Sequence, residues 1–277
     1  MDYNVSVIIP SYNRAYSIER ALKSVFRQTY QPNEVILIDN CSTDNTKDIA
    51  LKFKKLIYVV EKNKGVSFAR NKGIKTAKSS WIAFLDSDDE WLPNKLEKQI
   101  VRIQETKAKY NLIHTNENWY KDGKYFNQSK QHTKKGGEIF EECLKLCCIS
   151  PSSSLLRKDL FNKYGYFDEN LPVCEDYDLW LRITAYEKVL FIDEPLINKY
   201  GGHSDQLSKK FWGMDRFRVY ALEKLIKSCT LEDKKLKLAC DTLRKKIKIL
   251  INGAKKRDNK KIIYEYEKKL LCLLKNQ

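Results

Sequence analysis

Over its first 90 residues the chain alternates short apolar runs with longer stretches whose apolar positions recur every three or four residues. Residues 4–10 form a β-branched run closed by Pro10, and after the polar loop Ser11-Tyr12-Asn13-Arg14 the positions Ile18, Ala21, Leu22, Val25 and Phe26 predict a helix from Ser17. The unit repeats. Residues 34–38 predict a strand, 39–44 a polar loop, and the following residues a helix through Phe53. Residues 56–60 predict a third strand, with Asn63-Lys64-Gly65 turning into a helix over 66–77. A fourth strand, 81–85, ends abruptly in Asp86, Ser87, Asp88, Asp89 and Glu90. Strands alternating with helices at this spacing predict an α/β fold with a mainly parallel sheet flanked by helices, and ligands in such sheets lie beyond the carboxyl ends of the strands. The loops at 10–14, 39–44, 61–71 and 86–90 are therefore expected to converge on one crevice.

The pattern then loosens. Residues 92–108 predict a helix, 110–116 a strand, and 118–125, with Asp122-Gly123 between aromatic residues, a hairpin. Lysine-rich 130–137 reads as a mobile loop, more a solvated linker than a substrate contact. From Phe211 the periodicity is helical. Three apolar stripes, one on Phe211, Met214, Ala221 and Leu225, a second on Leu236, Ala239, Leu243, Ile247 and Leu250, and a third on Ile262, Tyr266, Leu270 and Leu273, are expected to pack on each other and on the rest of the chain. We divide the chain into a domain over 1–205 and a C-terminal α-helical extension over 206–277.

Composition changes this picture in three places. A chain of 277 residues with 42% hydrophobic and 12% aromatic content is long enough for a large core, and no apolar run approaches the roughly 20 residues of a membrane span. The chain enters a strand almost at once without a secretory pattern, so a cytoplasmic location is expected. Eight cysteines without zinc spacing are expected to be reduced and structural. The net charge of +16 is uneven: residues 1–205 carry 31 basic and 28 acidic side chains, residues 206–277 carry 21 and 8. The lysine-rich tail suits peripheral association with an anionic membrane, on the inner face of the plasma membrane, or simply a soluble face. It lacks interleaved aromatics in a base-reading motif, so no specific nucleic acid is expected and nonspecific attraction is the most it predicts.

The acidic run carries the chemistry. Four adjacent acids at the end of a core strand repel one another unless a cation neutralises them, and hard oxygen ligands suit Mg²⁺ or Mn²⁺ shared with substrate phosphates. Asp86 and Asp88 are expected to project the same way, with Asp89 and Glu90 serving the next helix. Asp39 has two readings, acceptor for a pyrimidine N–H or an Asx-turn residue, a job open to Thr43 or Asp44 instead. Arg70 suits a phosphate, or is a solvated helix arginine. In Cys174-Glu175-Asp176-Tyr177-Asp178, three acids open an amphipathic helix, more than capping requires.

Taken together, Pro10-Ser11-Tyr12-Asn13, the segment from Ile38 to Asp44, Gly65 through Asn71, and Phe84-Leu85-Asp86-Ser87-Asp88-Asp89 resemble family 2 glycosyltransferases of the GT-A fold, in order and spacing. The resemblance implies an inverting, metal-dependent transfer from a nucleotide-sugar donor, a UDP-sugar, to a hydroxyl of a glycan or lipid-linked acceptor in surface polysaccharide synthesis. It implies that Pro10, Tyr12, Arg14, Asp39, Arg70, Asp86 and Ser87 bind the nucleotide, with Asp39 on the base. It also implies that Asp86 and Asp88 hold Mn²⁺ or Mg²⁺, with His203 as a further ligand. Asp176 is the implied general base and Glu175 the second choice, and residues 149–154 supply a small-residue segment beneath the sugar. Asn40-Cys41 departs from the Asp-Gly often found in the family, where glycine would allow positive φ. The rival readings are a catalytically silent sugar-nucleotide scaffold and a basic nucleic-acid-binding protein.

Overall fold

The computed structural model describes residues 3–202, 210–228 and 230–275. Its first half follows the alternating pattern: β1 (Val5–Ser11), α1 (Ile18–Phe26), β2 (Glu34–Asp39), α2 (Thr46–Ala50), β3 (Leu56–Val60), α3 (Val66–Thr76) and β4 (Trp81–Phe84). These four strands are parallel, in the order β3-β2-β1-β4. β1 and β4 are buried along their whole length, as their unbroken apolar runs demand, and α1 turns Ile18, Ala21, Leu22 and Val25 into the same layer. Fully burying each such side chain stabilises the fold by about 1.5–3 kcal/mol. On the other face α3 lies so close to β1 that a Cβ on Gly73 would stand 2.3 Å from Ile8 Cγ2, so only glycine permits the approach.

The second half departs from the expected parallel order. After α4 (Lys95–Glu105) come β6 (Leu112–Lys121), β7 (Lys124–Tyr125), α5 (Phe140–Lys145), β8 (Leu155–Arg157), α6 (Asp159–Tyr164), α7 (Glu175–Thr184) and β9 (Leu190–Gly201). The two-residue β5 (Glu90–Trp91) precedes α4. The sheet continues β4-β8-β6-β9-β5: β8 is antiparallel to both neighbours, β9 is parallel to β6, and β5 is antiparallel to β9. The regular strand–helix alternation that signals parallel pairing stops at β4, and the sheet becomes mixed where it stops. The strand expected over 110–116 and the hairpin expected over 118–125 are one ten-residue strand that turns at Asp122-Gly123 and returns as β7. Its pairing with β9 slips twice, between Thr115 and Asn116 and between Asn116 and Asn118.

The C-terminal helices are α8 (Asp215–Lys227), α9 (Asp233–Lys255) and α10 (Lys260–Lys275). The stripes expected from the sequence are the packing faces: Ala221, Leu225, Ala239, Leu243, Ile247, Leu250 and Tyr266 belong to the hydrophobic cluster that also holds Ile8, Phe84 and Trp180. Asp215 of α8 pairs with Lys246 of α9 at 3.1 Å, and Lys224 of α8 reaches Asp178 of α7 at 2.7 Å. The boundary drawn between 205 and 206 lies outside the described residues. Among the described residues no helix is long and apolar enough to cross a membrane.

Candidate active site

The carboxyl ends of β1 and β4 and the start of α7 open onto a cavity of about 1070 Å³. Pro10, Tyr12, Arg14, Arg70, Asp86, Ser87, Asp88, Glu175 and Asp176 all line it, so the loops converge as the strand order predicts. Asp86 to Asp89 form a tight turn closed by the Asp89 N–H on the Asp86 carbonyl (3.0 Å), not an extended segment. Asp86 and Asp88 nonetheless face the cavity together, their side chains 27% and 22% exposed.

Asp89 and Glu90 do not serve a helix. The Trp91 indole N–H donates to the Ser152 carbonyl (2.8 Å) and draws the chain into β5 before α4 begins. Glu90 accepts the Tyr200 hydroxyl (2.7 Å), and Asp89 is buried, accepting the Ser152 hydroxyl at 2.6 Å. Burial, reinforced by the charges of Asp88 and Asp86 and opposed by Lys199, pushes the Asp89 carboxyl well above the usual range. Ser152 Oγ also accepts the Asp86 N–H (3.0 Å). Of the serine run, only Ser150 lines the cavity beside Pro151. Ser152, Ser153 and Ser154 are fully buried, so these hydroxyls brace the acidic turn and do not offer themselves to a sugar.

Arg70 joins the two acidic motifs. Its guanidinium, 3% exposed, pairs with Asp86 at 2.7 Å and with Glu175 through the other terminal nitrogen, against the Phe167 ring at 5.2 Å. It is therefore not a solvated helix arginine, and both terminal nitrogens serve carboxylates. Glu175 is buried. That burial, strengthened by Asp176 and opposed by Arg70, raises its pKa to about 7. Glu175 is thus a partner of Arg70 more than a free base. Asp176 also lines the cavity, whereas Asp178 is buried against Arg182 (2.8 Å) and Lys224. The Tyr177 N–H donates to Asp176 Oδ1 (2.7 Å) and the Cys147 thiol to Oδ2 (3.1 Å), which fixes the plane of the carboxylate. The preceding Cys174 sits at φ 61, a left-handed conformation that costs a non-glycine residue roughly 1–3 kcal/mol, and the helical turn that follows it points Glu175, Asp176 and Asp178 in different directions.

Asp39 is the predicted nucleotide residue that does not line the cavity. It is buried, with Oδ1 accepting the Ser42 N–H at 2.9 Å and Oδ2 accepting the Tyr58 hydroxyl, so the turn reading describes its contacts, while Asn40 takes the place at the wall. Asn40 ties the loops together: its amide donates to the Asn63 carbonyl (2.6 Å) and its oxygen accepts the Gly65 N–H (2.7 Å). Cys41 adopts φ 65, the conformation that glycine would take most readily.

Sequence reasoning missed a buried cluster on the opposite wall. Lys134, in the segment read as solvated linker, is 9% exposed and pairs with Glu117 at 3.3 Å. Glu117 also accepts the Trp119 indole N–H (2.7 Å), and Lys199 donates to Ser150 Oγ (3.2 Å). Burial acts to raise the Glu117 pKa, but the charges of Lys134 and Lys199 outweigh it and hold the carboxyl below the usual range. The lysine-rich run masked Lys134, and no local pattern links residues 117, 134 and 199. The backbone at Gly202 is closely held: at φ +101, a Cβ there would meet the Asp122 carboxylate at 2.2 Å.

Among the described residues no group of three or more His, Cys, Asp or Glu side chains is spaced to hold a metal ion, and His203 lies outside them. Two cavity-facing carboxylates still fit Mg²⁺ or Mn²⁺, since such an ion takes one or two protein carboxylates and completes its shell with phosphate oxygens and water.

Comparison with known proteins agrees with this architecture. Residues 6–165 match the model of the family described as glycosyl transferase family 2. An Escherichia coli protein named UDP-Glc:alpha-D-GlcNAc-diphosphoundecaprenol beta-1,3-glucosyltransferase WfgD is 36% identical over 203 residues, 69% of this chain and 74% of its own length. An uncharacterized glycosyltransferase of Rickettsia typhi is 35% identical over 202 residues, 70% of this chain. The chain spans 62% of the length of that relative and 29% of a Rickettsia bellii one. Among solved structures, S. aureus TarS 1–349 in complex with UDP-GlcNAc superposes with a TM-score of 0.69 at 21% identity, over 88% of this chain and 71% of that one. The mixed sheet is that of the GT-A fold, and the chain belongs to glycosyl transferase family 2.

Proposed function

We propose that this chain transfers a sugar, with inversion, from a UDP-sugar to a hydroxyl of a glycan or lipid-linked acceptor in the synthesis of a bacterial surface polysaccharide. One observation carries the reading: Asp86, Asp88 and Asp176 line one cavity and Arg70 ties the two acidic segments together. Names of relatives support the substrate classes, since WfgD is named for a UDP-glucose donor and a diphosphoundecaprenol-linked acceptor, and TarS is solved with UDP-GlcNAc.

In this mechanism Asp88 and Asp86, with His203 as a further ligand, would hold Mn²⁺ or Mg²⁺. When bound, the ion offsets the charge that develops on the leaving diphosphate. Arg14, whose guanidinium stands 3.9 Å from the Asp88 carboxylate, adds a fixed cation at that end of the cavity. Arg70 and Ser152 hold Asp86 in place. Asp176, oriented by the Tyr177 N–H and the Cys147 thiol, takes the proton of the acceptor hydroxyl as its oxygen attacks the anomeric carbon, and the electron pair of the breaking C–O bond leaves with the diphosphate.

The tail complements a lipid-linked acceptor. Exposed Ile249, Tyr264 and Leu271 stand on helices whose outer faces are rich in exposed lysines, a combination that suits peripheral binding to an anionic inner leaflet from the cytoplasm. Cosedimentation with anionic but not neutral vesicles is the expected result. Calorimetric titration with UDP, GDP and dTDP, each with Mn²⁺ and then with EDTA, tests the donor site. Metal-dependent binding of UDP is expected, and failure of all three nucleotides to bind would overturn the reading.

A further inference from the structure

The Glu117 cluster lies in the same cavity as the acidic turn yet has no part in the mechanism above. Glu117 stands in β6 within the second register slip against β9, between Asn116 and Asn118, and irregularities of this kind commonly re-aim a side chain beside a functional site. Its side chain is 2% exposed and kept ionised by Lys134 and Lys199, but only Oε1 is engaged, by Trp119 and Lys134. Glu117 lines the cavity, and its buried Oε2 has no donor among the described residues. A buried acceptor of this kind is costly to leave unpaired, more so when charged, unless a ligand supplies the missing donor.

The surroundings specify that ligand. Trp119 and His132 line the cavity with their rings 5.1 Å apart, offering an apolar face beside a carboxylate and an ammonium. Such a set matches a sugar ring, which presents C–H groups on one face and hydroxyls at its edge. Adjacent cysteines tie the cluster to the base: Cys147 donates its thiol to Asp176, and the Cys148 carbonyl accepts from Lys134 at 3.3 Å. Glu117, Trp119 and Asp176 all line this one cavity. The elements involved, β6 and the segment after its hairpin, are not those that line the donor end at Arg14 and Asp88.

Resting on the glycosyltransfer reading, we propose that Glu117 and Trp119 form the subsite for the acceptor's sugar ring, with Glu117 Oε2 accepting a hydrogen bond from a second hydroxyl of the sugar whose first hydroxyl gives its proton to Asp176 as its oxygen attacks the anomeric carbon. The subsite makes Glu117 a specificity-determining residue.

The test uses the full chain, UDP-glucose, UDP-galactose and UDP-GlcNAc as donors, and a panel of monosaccharide α-diphosphate lipids with their monodeoxy analogues as acceptors. E117Q and W119L are compared with wild type by UDP affinity, by hydrolysis of the donor in the absence of acceptor, and by transfer. Thermal unfolding identifies any variant that fails to fold, and W119L alters a half-buried ring without unpairing the two lysines. The subsite predicts a KM for acceptor raised about 10- to 100-fold in E117Q, with UDP affinity and donor hydrolysis unchanged. It also predicts that one monodeoxy acceptor is used equally well by wild type and E117Q. An unchanged acceptor KM, or a parallel fall of UDP affinity and hydrolysis in folded variants, would overturn it. A wild-type chain that binds UDP but whose turnover no sugar acceptor stimulates would also overturn it. A chain that binds no nucleotide would instead remove the donor reading beneath it.

Discussion

The two walls of the cavity are built in different ways. The donor wall comes from the carboxyl ends of parallel strands and the loops that follow them, so its residues stand at repeating places in the sequence: Pro10 near the end of β1 and Tyr12 after it, Asn40 after β2, Asp86 and Asp88 after β4. The opposite wall joins residues 117, 134, 150, 176 and 199 across the irregular β6–β9 pairing and the start of α7. A parallel α/β half thus presents its chemistry by topology alone, whereas the mixed half must assemble it by long-range pairing. Arg70 is the bridge, carried by the donor half and paired to Glu175 of the other.

Breaking that bridge is expected to have the largest effect. R70K keeps a cation but cannot span Asp86 and Glu175 with a planar fork, and it leaves buried carboxylates poorly paired. A loss of about 3–5 kcal/mol in stability is expected from disrupting a buried pair of this kind, measured by chemical denaturation, with UDP affinity and turnover falling together. A change confined to one of the two activities would show that the walls are independent.

Next in size is the pH response of Glu175. Its folded pKa, raised to about 7 from 4.5, means that the folded state binds this proton more tightly than the unfolded chain. The associated stability is present below pH 4.5 and is lost as pH rises through 7. On the order of 3 kcal/mol should disappear over that interval, a slope that E175Q should remove. Denaturation midpoints of both proteins across this range provide the check.

The smallest effect is expected at Tyr58, whose hydroxyl holds Asp39 from the neighbouring strand. Y58F frees one Asp39 oxygen, and a change of about 3- to 10-fold in UDP affinity is expected from one such hydrogen bond, with acceptor KM unchanged. Calorimetry with UDP and Mn²⁺ measures it.

The same contrast explains what could be read in advance. The four parallel strands, the convergence of their loops and the place of the acidic run followed from local patterns, as did the apolar stripes of α8 to α10, whereas the extended backbone expected at Asp86 to Asp88 is a tight turn. The direction of the Asp39 carboxylate did not follow, because it depends on Tyr58 one strand away. Ser152 reads as a small residue open to a sugar, yet it is buried between Asp86 and Asp89. Lys134 looks like any lysine in a basic run until β6 brings Glu117 to it. Residues whose roles are set by strand order are legible, and those set by pairing between distant segments are not.

The most direct test of the proposed chemistry is D176N. The substitution keeps the shape of the side chain and the Tyr177 N–H contact but removes the carboxylate that takes the acceptor's proton. Metal-dependent UDP binding equal to wild type, with transfer reduced at least ~100-fold, is the predicted result. Transfer at the wild-type rate, or loss of UDP binding in a folded protein, would contradict the assignment of Asp176 as the base.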